Sequence, residues 1–291
     1  MASYFSAEKQ QFNIFDDSTV ISPKLLQNDS TTSFSTITSC PGSSSSWLVR
    51  LLIKNLSDLA KDNDDHISVF FVSFIENKNF WDTAMRKLNV NISFKKSSRS
   101  KFHFHFIDCF TDLFTKKLSI NDLTDLSVKT FFVNYIIRQI LAKYERFSSN
   151  SKMVIFIHNP EILLSSTMLQ SLTLFNLILT AIKLTKCKLL FHVSNLSPKL
   201  ADFSNSLNND NSLEYKITDY ISRLHYISNF NLHITPLKTG AASDITGKLS
   251  VVNGSRPVVD VISKNDQSLS IVEKQFLYFI NKDGNPVFYF M

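Results

Sequence analysis

Apolar residues along the chain fall into two alternating patterns. Near-continuous apolar runs of strand length occur at HISVFFVSFIE (66–76), FHFHFIDCF (102–110), VIFIH within 152–164, and KLLFHVSN (188–195). Runs of this kind predict strands buried on both faces. SFSTIT (33–38), in which apolar and small polar residues alternate, predicts one more. Between them, apolar residues recur at helical spacing in WLVRLLIKNLSDLA (47–60), NKNFWDTAMRKL (77–88) and the segment 167–186. The stretch 124–147 predicts one long helix, with Asp and Ser near its start and basic residues at its end, as the helix dipole favours. Strands and helices that alternate across connections long enough for parallel crossovers predict a three-layer α/β fold.

The rhythm changes after Ser212. The segments 228–240, 245–254 and 272–290 predict consecutive strands joined by Gly and Asn turns, the last a hairpin at Asp283–Gly284. A mostly parallel sheet finished by antiparallel C-terminal strands makes residues 33–291 one domain. Residues 1–32 read as a lead segment with a short strand, a turn at Asp16–Asp17 and a short helix after Pro23. The loops 93–101 and 204–212 read as flexible, the second as a disordered stretch of Ser and Asn.

Glycine content narrows the chemistry. The chain has 5 glycines, at 42, 240, 247, 254 and 284, where an average composition would give roughly 20. No two lie at the spacing of a dinucleotide fingerprint, a Walker-type loop or a hydrolase elbow, so those motifs are excluded in their usual form. The segment SCPGSSSSW (39–47) nevertheless sits between a predicted strand and a predicted helix, the position of a phosphate loop. It has one glycine and no lysine; Pro41 removes an N–H, and the first basic residue is Arg50, inside the helix. VIFIHNPEILL ends its strand in His158 and Asn159, neutral groups that are poor Mg²⁺ ligands, with Glu161 beyond Pro160. Both observations predict that the chain does not hydrolyse a nucleotide by itself.

Charge and cysteine usage add little specificity. The net charge is +6 with a pI of about 9.1, mildly basic and compatible with an anionic partner such as RNA. The basic loop FKKSSRSKF offers Lys95, Lys96, Arg99 and Lys101 between aromatics as a candidate phosphate grip; a solvated loop is the plain alternative. His103 and His105 share a strand face, but no ligand cluster accompanies them, so no metal site is expected. His192, mid-strand, reads as a core residue. Three scattered cysteines, no secretory signal and no bilayer-spanning segment predict a protein without membrane association in the cytoplasm or nucleus.

Three stretches, VFFVSFIENKNFWDTAMRKLNV (69–90), NLHITPLKTGAASDITGKLSVVNG (231–254) and SLSIVEKQFLYF (268–279), together with the FNIFDDSTVISPKLL lead, resemble the fungal Elongator complex protein 6 family. This is one of three Elongator accessory subunit types with RecA-like folds. The resemblance implies a RecA-like domain in a heterohexameric ring with two related subunits, in contact with the catalytic Elongator subunits and with tRNA, in support of wobble-uridine modification. A degenerate phosphate loop is part of it, so ATP would be bound or hydrolysed only at subunit interfaces or by partners. By position, Lys238 would be a cation acting on a neighbour's phosphate site, Gly240 would allow close approach of chains, and Asp244 and Thr246 would tie the turn before Gly247. A plain turn with a solvated lysine is the alternative there. Two rivals remain for the whole chain: a cryptic NTPase using Glu161, and a stand-alone RNA-binding protein.

Overall fold

The apolar runs become the interior of one nine-stranded sheet. The computed structural model describes residues 23–26, 32–62, 66–88, 90, 101–112, 124–147, 151–196, 212–237, 240, 244–256, 271, 273–281 and 284–290. Its strands are β1 (Ser33–Ser39), β2 (Ile67–Ser73), β3 (Phe102–Asp108), β4 (Lys152–His158), β5 (Leu189–Ser194), β6 (Phe230–Pro236), β7 (Gly247–Asn253), β8 (Lys274–Ile280) and β9 (Pro286–Phe290). They lie in the order β3-β2-β4-β5-β1-β6-β7-β8-β9. The first six are parallel, and β6 to β9 pair antiparallel. Every residue of β1 and β2 is buried, as continuous apolar runs covered on both faces require.

Helices cover both faces of the parallel part. On one face lie α1 (Ser46–Asp62) and α2 (Lys78–Arg86), whose Trp47, Leu52, Leu56, Trp81 and Met85 pack on Phe71, Phe156 and Phe191. This layer continues under the antiparallel strands through Leu249, Phe276, Tyr278 and Phe288. On the other face lie α3 (residues 125–147), α4 (Ser171–Thr185) and α5 (Leu213–Ile227), packed on Phe70, Ile155 and Leu190. Burying any one of these large side chains contributes about 1.5–3 kcal/mol.

Helix α3 is the one long helix expected over 124–147, with a widened middle. It runs as Asp125–Phe131, a π-helical stretch Phe132–Ile137, and Arg138–Phe147. Phe131 and Phe132 are buried, and so are Ile136 and Ile137. Widening the turn brings two adjacent pairs to the core where 3.6-residue spacing would swing part of each outward. Thr124 caps this helix by accepting from Ser127 N–H, and Ser212 caps α5 by accepting from Tyr215 N–H. Helix α5 and the turns Cys109–Asp112 and Ile162–Ser166 were not expected from the pattern. Of the lead segment, only the 3₁₀ turn Pro23–Leu26 lies within the described residues, with Leu25 and Leu26 buried.

Candidate functional site

β1 has β5 on one side and β6 on the other. The chain leaves it over α1 towards β2, and it returns from β5 through α5 to β6 on the far side. The order therefore reverses at β1, and the crevice beyond its carboxyl end is where open α/β sheets receive ligands. The loop Cys40–Ser45 occupies that place. Its serines are bonded to the strands on either side. Ser43 Oγ donates to the carbonyls of Cys40 (2.7 Å) and Ile234 (3.2 Å). Buried Ser45 Oγ donates to Asn195 Oδ1 at the end of β5 (2.8 Å), which also receives Ser39 Oγ at 3.4 Å. Cys40 N–H donates to Ile234 O at 3.0 Å. The loop is stitched to β5 and β6 by neutral hydrogen bonds.

Positive charge near the loop is also committed. Arg50 Nε donates to Ser46 O at 3.2 Å, and its guanidinium lies 3.5 Å from where a Cβ on Gly284 would stand, beneath the β8–β9 turn. Burial lowers its pKa, and the charge of Glu76 opposes that shift. The Glu76 carboxyl is raised by burial, against hydrogen bonding from Trp81 and the charge of Arg50. Trp47, at the start of α1, locks this corner onto the antiparallel strands, its ring 4.5 Å from Tyr278 and 5.8 Å from Phe288.

The carboxyl end of β4 is neutral, as the sequence predicts. His158 is fully buried, with Nδ1 3.4 Å from Ser73 Oγ and 3.8 Å from Glu76 Oε2; burial pushes its pKa down to about 3. Asn159 adopts φ 55° and donates its N–H to Val193 O at 2.7 Å. The chain then turns inward. Glu161 is buried on the α5 side of the sheet, across from α1, where Oε1 accepts from Ser194 Oγ and from Asn159 Nδ2 (3.1 Å). Its Oε2 stands 3.7 Å from His192 Nε2. Burial raises the carboxyl to about 7, against those hydrogen bonds. Burial lowers His192 to about 3, so the ring is neutral beside it; its plane meets Tyr220 edge-on, with ring centres 5.3 Å apart. Glu161 is thus an interior carboxyl rather than a loop residue.

The remaining sequence candidates are scattered. Lys238, Lys95, Lys96 and Arg99 lie outside the described residues. Lys101 stands at the entry to β3, and its carbonyl accepts from Ile67 N–H at 2.8 Å. Gly240 has φ 89° with its N–H donating to Leu237 O (3.2 Å), and among the described residues nothing lies within 4 Å of a Cβ placed there. Within the chain, a Cβ on Gly247 would be 2.6 Å from Thr235 O, and one on Gly254 would be closer still to Ser228 O. Asp244 is exposed. Thr246 ties the sheet: its N–H donates to Tyr278 O (2.7 Å), and its Oγ1 accepts from Ile280 N–H (3.0 Å). His103 and His105 stack 6.5 Å apart at the sheet edge, and among the described residues no cluster of three ligating side chains could hold a metal ion. No described helix is long and apolar enough to cross a membrane. Asn195 is the site residue that sequence reasoning missed; it ends β5 as Asn159 ends β4, and that parallel was the available signal.

No family model matches the chain. In fold it is similar to a KaiC-like protein of Pyrococcus horikoshii, at 11% identity and a TM-score of 0.51, over 97% of this chain and 99% of that one. The flagellar accessory protein FlaH of Methanocaldococcus jannaschii aligns over 88% of each chain at 14% identity, with a TM-score of 0.48. Among curated proteins, Elongator complex protein 6 of Saccharomyces cerevisiae is 25% identical over 301 residues, 98% of this chain and 99% of that protein. On a RecA-like α/β fold, the chain is therefore similar to Elongator complex protein 6 along nearly its whole length.

Proposed function

We propose that this chain is a non-catalytic RecA-like subunit of an Elongator assembly. In this reading it joins two related RecA-like subunits in a heterohexameric ring, meets the catalytic Elongator subunits, contacts tRNA and supports wobble-uridine modification, in the cytoplasm or nucleus. The observation that carries the non-catalytic part is the loop Cys40–Ser45, whose serines are hydrogen-bonded to Asn195 and Ile234 where a phosphate would need free N–H groups and a cation. Any ATP in the assembly would sit at subunit interfaces, with Lys238 acting in trans on a neighbour's phosphates.

The near full-length similarity to an Elongator subunit supports the partner assignment. The cryptic-NTPase alternative requires Glu161 to reach the loop, whereas it is buried against His192 and Ser194 on the opposite face. Co-purification of the tagged full chain followed by size analysis tests the reading. The expected result is a defined complex with two related chains, without ATP turnover by the isolated chain. A monomer that copurifies with no Elongator subunit overturns it.

A further inference from the structure

The parallel strands bring basic residues together at the edge opposite the phosphate-loop position. Lys152 N–H donates to His66 O (2.7 Å), Lys188 N–H donates to Met153 O (2.8 Å), and Ser33 N–H donates to Lys188 O (2.9 Å). Lys152 and Lys188 therefore enter the sheet on adjacent strands, which lie about 4.8 Å apart. The helices run back against the strands, so their last turns end at this same edge. There α4 brings Lys183 and its C-cap residue Lys186, both exposed. Helix α5 ends beside them in Tyr226, which is 70% exposed. Arg256 adjoins it, its N–H donating to Ser228 O (3.0 Å) and its carbonyl accepting from Asn229 Nδ2 (2.6 Å).

Cations at helix ends complement the dipole whatever a protein does. Lys152, Lys188 and Arg256 are not at helix ends, and no dipole calls for an exposed tyrosine between them. Of the described acids on this side, Asp58 pairs with Lys61 (2.9 Å) and Asp62 closes α1, Glu145 lies in the last turn of α3, and Glu273 accepts from Asn253 N–H.

Cations that track a phosphate backbone around an exposed ring on which a base can stack are the chemistry of single-stranded nucleic-acid binding. We propose that this amino edge, formed by Lys152, Lys183, Lys186, Lys188, Tyr226 and Arg256, is an RNA-contact surface that takes a single-stranded or loop segment. The proposal rests on the tRNA-binding reading above and assigns it a surface away from the phosphate-loop crevice. Lys101, the described member of the sequence-predicted basic loop, enters the sheet at the same edge through β3.

The test is binding of labelled tRNA and of single-stranded oligouridylate to the full chain, alone and in its co-purified assembly, across a salt series. K183E/K186E/R256E is expected to weaken binding roughly tenfold or more and to flatten the log–log salt slope by about 2. Y226A is expected to weaken oligouridylate binding about fivefold while Y226F retains it, with unchanged thermal midpoints for the tyrosine variants and a slightly lowered one for the triple variant, which loses helix-end cations. If the triple variant binds like wild type while K95E/K96E/R99E loses binding, this surface is overturned and the tRNA reading stands. Wild-type chain that binds no RNA in either form overturns both. Binding to phosphatidylserine vesicles but not to RNA, lost in the triple variant, would mark a membrane contact and overturn the proposal.

Discussion

Two corners of the sheet's carboxyl edge, on opposite faces, differ in what their polar side chains do. At the α1 corner, the hydroxyls of Ser39, Ser43 and Ser45 all donate to oxygens of β5, β6 or the loop itself. At the α5 corner, Glu161 Oε2, both ring nitrogens of His192 and the Tyr220 hydroxyl have no hydrogen-bond partner. The first corner cross-links its loop to the neighbouring strands through neutral hydroxyls. The second retains an ionisable group whose burial is only partly offset.

The largest effect expected to sharpen this contrast is at Glu161. Its carboxyl is raised from 4.5 to about 7, so the folded state holds that proton more tightly than the unfolded chain. The associated stability is fully present below pH 4.5 and is lost as pH rises through about 7, on the order of 3 kcal/mol. The buried histidines act in the opposite sense: His158 and His192 are lowered to about 3, and His105 and His225 to about 4. Their stability is present above the ordinary histidine value and falls away as pH drops. The readout is thus the difference between wild type and Glu161→Gln in denaturant midpoint from pH 4.5 to 8. The variant gains on wild type as pH rises; parallel curves would show that the carboxyl is not buried in solution.

A smaller effect is expected at the cross-linked corner. Asn195→Ala leaves the buried Ser45 hydroxyl without its acceptor and costs about 2 kcal/mol of unfolding free energy, measured by urea denaturation. A neutral result would mean that the loop is not held by β5. The smallest effect runs the other way. Tyr220→Phe removes an unpartnered buried hydroxyl and raises stability by about 1 kcal/mol in the same assay, whereas destabilisation would reveal a partner for that oxygen.

The strands were legible because burial on both faces leaves little choice but continuous apolar residues, as in ISVFFVS and KMVIFIH. The closing hairpin was legible from its glycine, since Gly284 takes φ 81°. The place of the loop between β1 and α1 was legible from the switch of apolar period on either side of residues 39–47. Helix α5 was hidden by its own cap: Ser212 ends a Ser- and Asn-rich run in which a capping serine looks like any other. Its apolar positions Ile217, Tyr220, Ile221 and Leu224 carry the helical period that would have revealed it. The inward turn of Glu161 was not legible. A carboxylate after Pro160 reads as an exposed loop, and only the packing of α5 over β5 encloses it. No glycine or proline marks the π-helical stretch of α3, which follows from what its aromatic and aliphatic pairs must reach.

The central claim is that the loop over β1 is closed to nucleotide, and calorimetric titration of the full-length chain with ATP and magnesium tests it most directly. The account predicts no saturable binding tighter than about 1 mM and no phosphate release. One equivalent of triphosphate held over residues Pro41 to Trp47, with sustained turnover, would contradict it.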